Sequence, residues 1–387
     1  MQKTVYLDNS ATTRISEEAL EKYIEVSRGC YGNPSSLHTL GFDAEKIMDA
    51  ARAEICTSLG ARGVTVIFTA SGSEANNLAI FGRAYAKERF KRGAKIITTE
   101  GEHASVSEPV ARLEDEGFTV ARIPTKGGVI DLDALKREMT RDVVLVTMMM
   151  VNNETGALYD LCAVSRIMRA SAPDAILHVD ATQSYMKIPF TLSSLGADMI
   201  TISSHKIEGP KGVGALVTTA EVMRAKAITP LTLGGGQEGG LRSGTENVPG
   251  IAAFGEAVRL SRAALRNRYG VLCALRERLM AKLADMPEIS VTEPPVYAPH
   301  IVNITLPSIK SETMLHYLSS FGIYVSSGSA CSSNSKHLSS ALLAFGRSAA
   351  EADCSLRISL SHRNTNEDID ALADALASGL GKLSRIR

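Results

Sequence analysis

The sequence predicts an α/β fold: a large domain with a mostly parallel mixed sheet flanked by helices, and a smaller α+β domain after it. Three observations carry that expectation. From residue 64 onward, short β-branched runs alternate with stretches of helical pattern, the signature of βαβ units. Small and polar residues gather where those runs end, and open α/β sheets hold ligands at the carboxyl ends of their strands. The length of 387 residues exceeds what one core comfortably holds. The expected division is a large domain over 14–262 and a small domain made of 1–13 and 263–387.

The elements follow in order. Residues 6–13 open as an extended segment running into turn formers, 17–27 have helical pattern, and 31–38 are too dense in turn residues for a helix. Strands are expected over 64–68, 95–99, 119–123, 143–150 and 176–180, with helices over 74–92, 107–115, 133–139 and 163–170 between them. A strand over 200–204 breaks into His205 and Lys206, followed by a Gly/Pro turn and an apolar run over 213–217. A long helical region over 251–286, interrupted near Gly270, leads out of the sheet. Beyond it come strands over 289–292, 301–306 and 356–360, a helix over 312–320, and a last helix over 367–380 introduced by Thr365 and Asp368 at capping-box spacing.

The strand ends carry the chemistry. Lys206 stands where an apolar strand lets go, among Ser203, Ser204 and His205; an amine at a pocket rim can lose its proton and attack a carbonyl, which points to a Schiff-base lysine and hence to pyridoxal phosphate. Such an enzyme needs a carboxylate on the pyridine nitrogen, and Asp180 ends the preceding strand. Ser71, Gly72 and Ser73 open a helix, with Ser71 and Glu74 at capping-box spacing; the segment reads equally as a plain cap or a phosphate cradle. His103 is a candidate ring-stacking or acid–base group. Arg357, on an apolar strand, suits a substrate carboxylate. Cys331, in a run of serines and glycine, reads as an accessible, reactive thiol.

Composition excludes other classes. With 42 basic and 42 acidic side chains no global field favours nucleic acid or an anionic membrane, and no apolar run approaches the ~20 residues that span a bilayer. We expect a cytoplasmic protein. Six scattered cysteines form no zinc-spaced cluster, so no metal is expected. A G-x-G-x-x-G match within 234–240 lacks the strand that would make it a dinucleotide fingerprint.

The motifs YLDNSATT, GNPSSLH, TASGSEANN, EHASV, VNNETG, HVDATQS, SSHKIEGPKGVGAL, GGGQEGGLRSGTENV, SSGSACSS and LRISL, in this order, resemble the pyridoxal-phosphate-dependent cysteine desulfurases of aminotransferase class V, in the group with a long cysteine loop. The resemblance runs almost end to end. It implies fold type I and conversion of L-cysteine to L-alanine, with sulfur passing to Cys331 as a persulfide for an acceptor such as an iron–sulfur scaffold. It implies that Lys206 anchors the cofactor, Asp180 holds the ring nitrogen, Gln183 bonds the ring hydroxyl and His103 stacks on the ring. Gly72, Ser73, Ser203 and His205 would hold the phosphate, with Thr245 reaching in from the second subunit of a homodimer. Asn153 would serve both cofactor and substrate, and Arg357 with Asn33 would orient the substrate carboxylate. Glu208 stands where the family more often has an aromatic residue or histidine, a departure that bears on ring packing and whose effect the sequence leaves open. Lys336, His337 and Leu338 depart from the usual sequence after the cysteine loop and bear on the acceptor. A selenocysteine lyase or an aminotransferase on the same scaffold, or a non-catalytic partner-binding scaffold, are the competing readings.

Overall fold

The computed structural model describes residues 3–61, 63–86, 94–327 and 338–383. Cys331, Lys336 and His337 lie outside the described residues.

The chain opens with β1 (Val5–Tyr6) and the helices Glu17–Gly29 and Thr39–Ser58. The large sheet is then laid down by β2 (Thr65–Thr69), β3 (Lys95–Thr99), β4 (Thr119–Ile123), β5 (Val143–Met149), β6 (Ile176–Asp180), β7 (Met199–Ser203) and β8 (Gly214–Thr218), in the order β2-β8-β7-β6-β5-β3-β4. β8 runs antiparallel to both of its neighbours and the other pairings are parallel. Alternate residues serve two cores: Val66, Phe68, Val146, Met148, Ile200 and Ile202 face one, while Ile67, Leu145, Met199 and Leu216 face the other. Such period-two burial on both faces is what a sheet covered by helices on each side requires.

The helix Val248–Ala284 leads away, and β9 (Ser290–Thr292), β10 (Ile301–Thr305), β11 (Ile323–Tyr324), β12 (Ser326–Ser327) and β13 (Ser355–Ser359) follow. β12-β13-β10-β9 form an antiparallel sheet, and β11 pairs in parallel with β1. A third core joins Val5 and Leu7 to this second sheet, to the helix Asn366–Lys382 and to the far half of the long helix. Thr365 and Asp368 form the expected reciprocal cap.

Three differences from the expected elements have physical causes. Gly270 does not interrupt the long helix; nothing lies within 4 Å of where its Cβ would stand, so it is an exposed helical glycine. The helix Thr39–Ser58 is an element the sequence reading passed over. Its buried stripe of Gly41, Ala44, Met48, Ala51 and Ile55 is mostly small residues, a weak hydropathic signal that suits close packing: a Cβ on Gly255 would stand 2.8 Å from Ala51 Cα. The helix after β2 begins at Gly72, two residues before the expected start, because Ser71 caps it.

Candidate active site

A cavity of about 450 Å³ opens at the carboxyl ends of β5, β6 and β7, closed from the other side by β12, β13 and the segment after β1. Register puts the site together. Met149, Asp180 and Thr201 pair in one row across β5, β6 and β7, and Ser203, Gly214 and Thr69 in another across β7, β8 and β2. Gly214 lets the next helix settle on the sheet, since a Cβ there would stand 2.5 Å from the Ser71 carbonyl carbon. That helix, Gly72–Ala84, points its amino end into the cavity. Ser71 Oγ accepts from Glu74 N–H at 3.1 Å. The Glu74 carboxylate reaches back to Ala70 N–H (2.6 Å), not Ser71, and also binds Arg242 (2.8 Å). The amides of Gly72 and Ser73, in the first turn, have no intrahelical acceptor. They face the cavity beside the buried Ser203 hydroxyl, which has no partner among the described residues. Free N–H groups at a helix amino end beside an unpaired hydroxyl suit a phosphate.

Asp180 is held rigidly. Its Oδ2 accepts from Asn76 Nδ2 (2.9 Å) and its Oδ1 from Thr182 N–H (2.9 Å). The same Asn76 amide donates to Ser105 Oγ (2.8 Å), which lies 2.8 Å from His103 Nδ1. Ser105 N–H donates to Nδ1 as well (3.1 Å), so Nδ1 is the acceptor and Nε2 carries the proton of the neutral ring. Burial lowers the His103 pKa, against the pull of Asp180.

Lys206 is clasped by the opening segment: its Nζ donates to the carbonyls of Ser10 and Ala11. Thr12 Oγ1 lies 3.1 Å from His205 Nδ1, and Thr13 Oγ1 donates to the His205 carbonyl (2.8 Å). Burial, with Lys206 next in weight, pushes His205 down to about 4. Gln183 Nε2 donates to the Ser10 carbonyl (3.0 Å). Arg357, on β13, donates to Asp8 Oδ1 and to the Asn153 carbonyl, both at 3.0 Å, and keeps a buried Nε without a partner among the described residues. Burial raises the Asp8 carboxyl even with Arg357 beside it.

The cavity thus gathers Lys206, Asp180, Gln183, His103, Gly72, Ser73, Ser203, His205, Asn153 and Arg357. It does not include Thr245 or Asn33. Thr245 borders a separate depression with Phe68 and Glu246, and Asn33 is exposed, its Oδ1 capping Ser35 N–H at 2.9 Å. Glu208 does not line the cavity; its carboxylate is buried against Arg363 (2.6 Å), Arg268 (3.4 Å) and His362 (3.7 Å). Asn76, Ser105, Asp8 and Glu154 also line the cavity and went unassigned in the sequence. For Asn76 a signal existed: a polar residue on the buried helix stripe beside Ala75, Leu78 and Ala79.

The donor set fits pyridoxal phosphate: an amine, a fixed carboxylate and a helix-end cradle share one cavity with an unpaired hydroxyl. The model for aminotransferase class V matches residues 5–372. A "NifS/IcsS protein homolog" of Lactobacillus delbrueckii subsp. bulgaricus is 40% identical over 370 residues, 95% of this chain and 94% of that protein. "Cysteine desulfurase IscS 1" of Archaeoglobus fulgidus is 36% identical over 384 residues, 99% and 97% of the two chains. A solved structure titled "NIFS-LIKE PROTEIN" superposes with a TM-score of 0.91 at 35% identity, covering 98% of this chain and all of that one. The chain therefore belongs to the aminotransferase class V family, whose cofactor is pyridoxal phosphate.

Proposed function

We propose that this enzyme is a cysteine desulfurase that removes sulfur from L-cysteine and releases L-alanine. The observation that carries the reading is the single cavity joining Lys206, Asp180 and Arg357, in a chain similar from end to end to a protein named for that activity.

When bound, pyridoxal phosphate supplies an electron-accepting ring that stabilises negative charge at the substrate carbon beside the nitrogen. Asp180, its carboxylate locked by Asn76 and Thr182, would keep a proton on the ring nitrogen. Gly72, Ser73, Ser203 and His205 would hold the phosphate, with Thr245 supplied by a second copy of the chain, whose separate position here suits that role. Gln183 would donate to the ring oxygen, and His103, neutral with its proton on Nε2, would lie against the ring. Lys206 would anchor the cofactor and carry protons to and from the substrate carbon. Arg357, with Asn153 and the Asn33 loop, would orient the substrate carboxylate. Cys331 would attack the substrate sulfur: an S–S bond forms, the carbon–sulfur bond breaks, and the electron pair stays with carbon, which takes up a proton as alanine. The persulfide would then pass to an acceptor such as an iron–sulfur scaffold. Residues 14–262 would form the large domain, and 1–13 with 263–387 the small one that carries Cys331.

Alanine and sulfide release from L-cysteine by the wild type and Cys331→Ala tests this. We expect the substitution to abolish sulfide release; full-rate desulfuration without the thiol would overturn the persulfide step. Transfer of labelled sulfur to candidate acceptors identifies the partner.

A further inference from the structure

Behind the cofactor cavity lies a smaller one of about 40 Å³, walled in part by Met186, Lys187, Lys206 and Glu208. Of the titratable groups there that the proposed chemistry leaves unused, Glu208, Arg268 and His362 engage one another, and Lys187 reaches toward the cofactor cavity through Gln183. After β6 the chain makes two tight turns, Tyr185 N–H donating to the Ala181 carbonyl (2.8 Å) and Ile188 N–H to the Ser184 carbonyl (3.0 Å). They bring residues four apart, Gln183 and Lys187, to one side. Met186, between them, has φ of 55°, a strained left-handed state for a residue with a side chain. Lys187 Nζ donates to Gln183 Oε1 at 3.3 Å.

The charged groups that shift Lys187 are cations. Lys206 and Arg357 both lower its proton affinity, and burial, the larger cause, brings the amine down to about 7. Buried His300, whose proton affinity burial also lowers, adds no negative charge. Glu208, on the same wall, is engaged by Arg363, Arg268 and His362.

Gln183 lies between two groups of opposite character. The Ser10 carbonyl only accepts, and the Lys187 amine, charged or neutral, has N–H to donate. One orientation of the carboxamide satisfies both: oxygen to Lys187, nitrogen to Ser10 (3.0 Å). The second N–H is then left for the cavity. Without Lys187 the carboxamide oxygen loses its donor and that side of the amide is free to swing.

We infer that Lys187 is a positioning residue: it pins the Gln183 carboxamide so that Gln183 presents N–H, not oxygen, to the cofactor. The inference rests on the cavity being a pyridoxal phosphate site. An N–H donor at the ring oxygen disfavours a proton on the Lys206 nitrogen.

The test is a pH titration of the visible absorbance of bound cofactor in resting holoenzyme, without substrate. Lys187→Met is expected to raise the midpoint by about one pH unit, and Lys187→Arg, which keeps a donor-only cation, to restore most of the difference. In the Gln183→Leu background, Lys187→Met is expected to move the midpoint less than it does alone. A wild-type midpoint in Lys187→Met overturns the inference while leaving the cofactor reading intact. If that variant does not fold, Lys187→Gln, similar in length but free to present oxygen as well as N–H, decides in the same way. A wild-type protein that takes up no pyridoxal phosphate overturns both readings.

Discussion

Two sets of polar side chains cross the large sheet only a few residues apart. In the middle, His178 on β6 reaches sideways to Thr147 Oγ1 on β5 (2.8 Å) and to Thr201 Oγ1 on β7 (3.0 Å), and all three are fully buried. At the carboxyl edge, two residues further along β6, Asp180 is braced by Asn76 and Thr182, but Ser203 Oγ, Asn76 Oδ1 and Arg357 Nε are buried without a partner among the described residues. Buried polar atoms are nearly always paired; Thr98 Oγ1 on β3 and Thr218 Oγ1 on β8 are also without a partner among the described residues, but those of Ser10, Asn76, Ser203 and Arg357 are the ones whose residues line one cavity. Unpaired atoms gathered at the edge therefore mark where a ligand's polar atoms belong. Substitutions in the two sets should differ in kind: function fails at the edge, stability in the middle.

The largest expected effect is at the edge. Asp180→Ala removes the group opposite the ring nitrogen and should slow alanine release from L-cysteine by 10²-fold or more, on the order seen when one fixed electrostatic contact is lost from an active site, with little change in apoprotein melting. A rate within a few-fold of wild type would end the assignment. Asn76→Ala comes next. It takes one donor from the Asp180 carboxylate and one from Ser105; a hydrogen bond to a charged group is worth about 1.5–3 kcal/mol, so a loss of roughly 10- to 100-fold in rate is expected.

The middle set should respond to pH. Burial pushes the His178 pKa down to about 4, below its ordinary value, so the unfolded chain binds the proton more tightly than the folded one. This group's contribution to stability is therefore complete above the unfolded value of about 6.5 and is lost as pH falls through 4. His178→Leu should cost about 1–3 kcal/mol at pH 7, because two hydroxyls lose a partner, yet its urea midpoint should fall less steeply than that of the wild type between pH 6.5 and 4. Cofactor absorbance should be unchanged. Equal slopes in the two proteins would remove His178 from this role.

Much of this division was legible before the structure. The β-branched runs located the strands, and because each ends in polar residues, Lys206, Asp180, His103 and the Gly72 cradle could be read as facing one site. What escaped depends on contacts between distant segments. The role of Asn76 needs Asp180, 104 residues away, and the clasp of Ser10 on Lys206 spans 196 residues. The partners of Glu208 escaped because only the folded chain brings Arg268 and Arg363 to its carboxylate. The helix Thr39–Ser58 escaped for a local reason, since small residues bury a helix face without a strong apolar pattern.

The smallest effect gives the sharpest contrast because its sign should reverse between the two sets. Ser203 Oγ is buried with no partner among the described residues, and an unsatisfied buried hydroxyl costs about 1–3 kcal/mol. Ser203→Ala removes that cost, so the apoprotein should melt higher, by an amount corresponding to about 1 kcal/mol. Thr147→Val makes the same chemical change in the middle set, where the hydroxyl is bonded to His178, and should lower apoprotein stability by a similar amount. Adding pyridoxal phosphate then separates them again: the holoprotein should lose cofactor affinity in Ser203→Ala, about tenfold for one lost hydrogen bond to a phosphate oxygen, and keep it in Thr147→Val. Apoprotein destabilised alike by both substitutions would mean that the edge hydroxyl serves the fold just as the middle one does.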